Sequence, residues 1–157
     1  MGMLTQDKKD RIDSIIKKFD VQNAQLLMLL KEVQKEFQES LSAEVLDYIG
    51  KKINRPLAQL YGVATFYSLF SLNPRGKYII RICESPPCHL MGSDSIIDFV
   101  KKELNVNVGE TTKDEKFTLE TTSCLGICAV APAMMINDEM YGNLTPGKIR
   151  EILANLP

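Results

Sequence analysis

The sequence predicts an α+β protein: an N-terminal helical bundle over residues 1–75, then an α/β domain with a mixed sheet over residues 76–157. Three observations carry that division. Up to about residue 75, apolar residues recur almost throughout at helical spacing. Beyond it, short β-branched runs appear between turn residues. All four cysteines, Cys83, Cys88, Cys124 and Cys128, fall in the second part.

In the first part, Ile12, Ile15, Ile16 and Phe19 share one face of a helix expected over about Thr5–Phe19. Asn23 can cap a second helix, whose buried stripe is Leu26, Leu27, Leu30, Val33 and Phe37. Ser42 is a suitable N-cap for a third, with Glu44 well placed in its first turn. Val45, Leu46, Ile49 and Ile53 would then face inward. Pro56 suits the first turn of a fourth helix, expected to reach about Phe70. Asn73, Pro74, Arg75 and Gly76 read as a turn.

The second part opens with the alternating, β-branched run Lys77–Cys83, read as a strand. Ser93 or Asp94 would cap a helix carrying Ile96, Ile97, Val100 and Leu104. Asn105–Val108 is read as a short strand and Phe117–Thr122 as a longer one. Met134–Ile136 and Met140–Tyr141 form a hairpin around Asn137, Asp138 and Glu139. Thr145 caps a closing helix with Pro146 at its first position and Ile149, Ile152 and Leu153 inside. The order β-α-β-β-β-α fits a small thioredoxin-like sandwich.

Bulk composition narrows the function. The chain is 45% hydrophobic and 25% charged, ordinary values for a soluble globular protein. Its 19 basic and 20 acidic residues nearly cancel, so it has no basic surplus with which to bind nucleic acid. No run approaches the roughly 18 apolar residues of a membrane span, and Met1–Asp10 lacks the apolar core of a signal peptide. Gln6 stands where a myristoylation motif needs Ser or Thr. The expected location is the cytoplasm, without membrane insertion. There is no P-loop and no G-x-G-x-x-G, so the chain itself is not expected to bind nucleotide.

A reducing compartment turns attention to the cysteines as metal ligands rather than disulfides. Cys83 and Cys88 are separated by four residues, Cys124 and Cys128 by three, and 35 residues lie between the pairs. Each pair follows a predicted strand, so two loops at one end of a sheet can converge. Four thiolates suit a 2Fe–2S cluster or a structural zinc ion and argue against magnesium or calcium. Zinc sites usually place two residues between paired cysteines, and neither pair here does. The spacing therefore favours two irons over one zinc, with zinc remaining the alternative. No Cys-x-x-Cys pair supports thiol–disulfide exchange. Gly126, between Cys124 and Cys128, can adopt a positive φ and bring backbone N–H groups towards a sulfur.

Several segments together resemble the thioredoxin-like 2Fe–2S ferredoxin subunit of complex I and of NAD-linked hydrogenases and formate dehydrogenases. They are GVATFYSLF at 62–70, PRGKYIIRIC at 74–83, CHLMGS at 88–93, LETTSCLGICAVAPAMMIND at 119–138 and YGNLTPGKIREIL at 141–153. The resemblance implies that Cys83, Cys88, Cys124 and Cys128 ligate one 2Fe–2S cluster. It also implies a role as a non-catalytic electron-transfer subunit, docked on a flavoprotein that binds FMN and NAD and carries further iron–sulfur clusters. That flavin would split a hydride's electron pair, and a larger hydrogenase-like or dehydrogenase subunit would complete the assembly.

One stretch departs from the complex I pattern. Glu84, Ser85, Pro86 and Pro87 stand between the first two cysteines, where complex I members carry small flexible residues. The proline-bearing version looks more like subunits of anaerobic, electron-bifurcating or NAD-linked hydrogenases, with formate dehydrogenase or complex I next. Prolines offer no N–H to a sulfur, so this loop is expected to keep the potential low. His89, the only histidine, is expected to lie partly buried near the cluster. A Rieske centre, which needs two histidines, is closed. Phe66, Tyr67 and Phe70 are expected to pack inward, and Lys113–Lys116 to form a solvated turn.

Overall fold

The computed structural model of the chain describes residues 4–19, 25–37 and 40–157. The chain divides into two compact units, Met1–Arg75 and Gly76–Pro157, each with its own core.

The first unit is helical. It comprises α1 (Gln6–Ile16), α2 (Leu26–Glu36), α3 (Ala43–Ile53) and α4 (Leu57–Phe66). Ile12, Leu29, Leu30, Val33, Leu41, Leu46, Ile49 and Leu60 are fully buried and form its centre. Asn23, the cap expected for α2, lies outside the described residues. Ser42 caps α3 as expected, accepting a 3.3 Å hydrogen bond from the Val45 N–H. At the other end of α3, Asn54 adopts the left-handed conformation (φ 55°) and turns the chain back. The Arg55 N–H then donates to the Gly50 carbonyl at 2.9 Å. Gly50 has to be glycine there, because a Cβ would meet the Arg55 oxygen at 2.7 Å. Between α1 and α3, Asp13 accepts 2.6 Å and 3.0 Å hydrogen bonds from Lys52 and Tyr48. The Lys52 bond first, then Tyr48 against an opposing cost of burial, hold the Asp13 carboxyl below the usual carboxylate range. Its stabilisation is present at neutral pH and is lost as pH falls through that lowered pKa.

Buried Gln34 closes the unit. Its amide nitrogen donates to the Leu69 carbonyl (2.9 Å) and its oxygen accepts from the Ser71 N–H (2.8 Å). Both ends of the side chain are therefore satisfied, as a buried amide requires, and the segment after α4 is pinned to α2. Helix α4 is shorter than expected, because Tyr67 turns to an extended conformation and ends it at Phe66. Of the three aromatic residues expected to pack inward, only Phe70 is buried. Phe66 is 79% exposed and Tyr67 also faces solvent. Helical spacing groups the three rings but does not say what lies against each, and Phe66 and Tyr67 are left exposed where Phe70 is buried.

The second unit is a four-stranded mixed sheet with helices. It contains β1 (Tyr78–Cys83), α5 (Pro86–Leu90), α6 (Ser93–Leu104), β2 (Phe117–Thr122), β3 (Met134–Ile136), β4 (Glu139–Tyr141) and α7 (Pro146–Ala154). Strand order is β2-β1-β3-β4, with β1 parallel to β2 and antiparallel to β3, and β3 antiparallel to β4. Ile80, Ile82, Leu119, Met134, Val100 and Ile149 fill the core between sheet and helices. Thr145 caps α7 by accepting from the Lys148 N–H, with Pro146 at the first helical position.

Three features differ from expectation. Asn105–Val108 is not a strand: Asn105 takes φ 52° as the left-handed cap of α6, and a turn follows. The stretch after Ser85 is a short helix rather than a loop, since Pro86 and Pro87 occupy its first two positions. Helix starts leave those N–H groups without intrahelical partners, so proline costs nothing there. Gly92, in the left-handed region, rather than Ser93 or Asp94, precedes α6.

Leu46 and Leu119 are fully buried, one in each core. Leu46→Ala and Leu119→Ala are each expected to lower the unfolding free energy by about 2–5 kcal/mol. Urea titration followed by circular dichroism measures this, and a loss under about 1 kcal/mol at either site would mean that core is not closed.

Candidate functional site

The parallel register of β1 and β2 sets the site. Cys83, the last residue of β1, pairs with Thr122, the last residue of β2. Parallel strands ending in register deliver both outgoing segments to the same end of the sheet. One of them carries Cys83 and, three positions into α5, Cys88. The other carries Cys124 and then Cys128, at the start of a single 3-10 turn over Cys128–Val130.

All four cysteines are free thiols. They differ sharply in exposure: Cys83 is 1% and Cys88 2% exposed, whereas Cys124 and Cys128 face solvent. The Cys124 and Cys128 sulfurs lie 3.6 Å apart. Two thiolates on one tetrahedral metal at about 2.3 Å would sit about 3.8 Å from each other, so this pair already has a shared-metal spacing. Among the described residues, no group of three or more His, Cys, Asp or Glu side chains stands ready around a single ion. The thiols are gathered as two pairs.

Backbone N–H groups surround the sulfurs. Burial opposes a charge on Cys83, but N–H groups of Ser85 and Leu125, the Cys88 thiol and the Ser85 hydroxyl outweigh it and hold Cys83 below the ordinary thiol range. For Cys88, burial and the bond with Cys83 push the thiol up, against an N–H from Ala133. The Cys128 thiol is also pushed up, first by its bond to Cys124 and then by the charge of its neighbours. One negative sulfur thus discourages the next. A cation held between them removes that repulsion, which is the behaviour of a metal-binding thiol cluster.

Gly126 supplies the local geometry anticipated for it. It takes φ 81°, where a side chain is strained, and its N–H points at the Cys124 sulfur at 3.4 Å. Leu125 and Ile127 pack with Ala131, Ala133 and the two buried cysteines into a small apolar cluster that shields one side of the site. His89 is not buried as expected. It is more than half exposed, and its Nδ1 lies 3.0 Å from Asp94. Pro86 and Pro87 contribute no N–H to any sulfur, and the donors come from Ser85, Leu125, Ala133 and Gly126 instead. The part that sequence reasoning missed is α5, which places Cys88; two prolines after a serine were its only signal.

A mixed sheet whose parallel pair ends in two cysteine-bearing loops defines a thiol-ligated metal protein on a thioredoxin-like scaffold. The model of the thioredoxin-like [2Fe–2S] ferredoxin family matches residues 12–157, and the chain belongs to that family. Its cofactor is a 2Fe–2S cluster, and four paired thiols with N–H donors fit one. The chain is 34% identical over 153 residues to the NADP-reducing hydrogenase subunit HndA of Solidesulfovibrio fructosivorans, covering 98% of this chain and 89% of that one. It is 39% identical over 151 residues to a subunit of the NADH-quinone oxidoreductase of Rickettsia prowazekii, covering 94% of this chain and 85% of that one. A crystal structure of an NAD+-reducing [NiFe]-hydrogenase shares the fold, with a TM-score of 0.71 and 23% identity over 85% of this chain and 23% of the longer one.

Exposure and thiolate formation point in opposite directions for alkylation, because Cys83, held below the ordinary thiol range, is the least accessible sulfur. Access decides, since a reagent has to reach the sulfur before its charge matters. In metal-free, reduced protein, iodoacetamide is expected to label Cys124 and Cys128 well before Cys83 and Cys88. Peptide mass mapping over time checks this, and uniform labelling would contradict the buried and open pairs.

Proposed function

We propose that Cys83 and Cys88 hold one iron, and Cys124 and Cys128 the other, of a 2Fe–2S cluster that passes electrons singly within an NAD(P)-linked oxidoreductase. The observation that carries this reading is the convergence of the two cysteine pairs at one end of the parallel β1–β2 pair. When bound, the cluster supplies a reversible one-electron change and no bond chemistry. The chain does the rest. Cys83 and Cys88 anchor the buried side, and Leu125, Ile127, Ala131 and Ala133 keep water from it. N–H groups of Ser85, Leu125, Ala133 and Gly126 face the sulfurs and moderate the charge added on reduction. Cys124 and Cys128 open to the surface, giving electrons a short route to a partner.

The partner in this reading is a flavoprotein subunit that binds FMN and NAD, with a larger catalytic subunit beyond it. Among parent enzymes we favour an NAD(P)-linked hydrogenase, on the strength of Pro86–Pro87 at the head of α5. The second reading, NADH-quinone oxidoreductase, is favoured by the higher identity to the Rickettsia relative. Isolation of the complex from its native host and assay for hydrogen-dependent or quinone-dependent turnover separates the two. Among the described residues, no helix is long and apolar enough to cross a membrane.

Anaerobically purified protein is expected to contain about two irons and two sulfides, and to give an EPR signal only after one-electron reduction. Stoichiometric zinc without iron would overturn the cluster assignment. Cys124→Ser is expected to lower the melting temperature of the second unit as well as its iron content, because metal binding contributes folding free energy. The first unit contains no cysteine and should melt as before. A variant whose second unit melts like the parent would show that the cluster does not stabilise the fold.

A further inference from the structure

The helix α4 is apolar on more than one side. Leu60 and Ala64 are buried in the first unit's core, while Leu57, Tyr61 and Phe66 point away from it, followed by exposed Tyr67 and Leu69. A helix that is apolar all round belongs in an interior. Here, among the described residues, one side of it is left exposed. The stretch is also without charge: from Pro56 to Pro74 there is no Asp, Glu, Lys or Arg, in a chain where a quarter of residues are charged. Depletion of charge with enrichment in aromatic side chains is the composition of the buried centre of a protein–protein interface.

The surface is also held in place. Gln34 fixes the backbone at Leu69 and Ser71, and the Ser71 carbonyl accepts from the Leu41 N–H. The Phe66 and Tyr67 rings meet edge to face at 4.9 Å, and Tyr67 meets Phe70 at 6.4 Å. Rings ordered before binding lose little freedom on docking. Neighbouring cations do not offer themselves to an anion, because Lys51 is paired with Asp47 and Lys52 with Asp13, both at 2.6 Å. A lipid-surface helix would need a basic polar face beside its apolar one, and this stretch has none.

We infer that the outward face of α4 and its continuation, Leu57, Tyr61, Phe66, Tyr67 and Leu69, docks an uncharged apolar face of a neighbouring protein subunit. This rests on the reading that the chain works on a flavin-binding subunit, and names the surface that holds the two together. It also gives the helical unit, which has no redox group, its task. The relatives described as subunits match over nearly the whole of this chain, helical unit included.

The test uses the full-length, cluster-loaded chain and the purified FMN-binding subunit of the same host, in size-exclusion chromatography with light scattering and in titration calorimetry. The parent is expected to form a complex that survives 1 M salt, since no ion pairs sustain it. Phe66→Asp and Tyr61→Asp, at exposed positions, are each expected to weaken binding at least about tenfold, with unchanged helical circular dichroism and cluster absorbance. Leu69→Lys, outside the helix, gives a second variant free of helix-propensity effects. Variants that bind like the parent would overturn the α4 surface while leaving the flavin-subunit reading intact. A parent that ignores the flavin subunit overturns both. Self-association abolished by the same variants, or binding of the parent to neutral phosphatidylcholine vesicles, would overturn the inference in favour of a second copy or a bilayer.

Discussion

The site depends on the parallel register between β1 and β2. Cys83 lies opposite Thr122, both at strand ends, so the segments that leave them emerge side by side. An antiparallel pair would have sent the two cysteine-bearing segments to opposite ends of the sheet, far beyond the reach of one cluster. A slip of one residue would have turned Cys83 to the other face. The burial of Ile80, Ile82 and Leu119 on the core side fixes that register, so the hydrophobic core of the second unit also positions the sulfurs.

Around that frame, short-range backbone effects finish the site. A serine and two prolines start α5 and raise Cys88 into its third position. Gly126 supplies the one backbone conformation that turns an N–H onto Cys124. The apolar cluster of Leu125, Ile127, Ala131 and Ala133 makes one half of the site dry. Each device is local, but all of them act on sulfurs brought together by strands distant in sequence.

Much of this was legible in the sequence. The strands that lead into the cysteine segments, the Ser42 and Thr145 caps and the role of Gly126 follow from residue chemistry that acts over a few positions. The misreadings share a different cause. Asn105 looks like the start of a strand because its neighbours are β-branched, yet Asn readily takes the left-handed cap. Two prolines look like a loop because the helix they begin has only five residues. Phe66 and Tyr67 look buried because periodicity reveals that a face exists and is silent on what lies against it. Adjacency to Cys88 suggests that His89 sits near the site, but the turn of α5 carries it to Asp94 and to water.

The unequal exposure of the thiols has a consequence for the life of the protein. With the four sulfurs as the proposed ligands, one side of the site is sealed by the core and the other is a doorway. Iron and sulfide delivered during maturation have to enter past Cys124 and Cys128, while Cys83 and Cys88 wait as a prefolded floor. Oxidants and chelators meet the same two residues first. Damage would then begin at the rim and leave the floor intact, so a partly stripped molecule would keep the half of the site needed for rebuilding it.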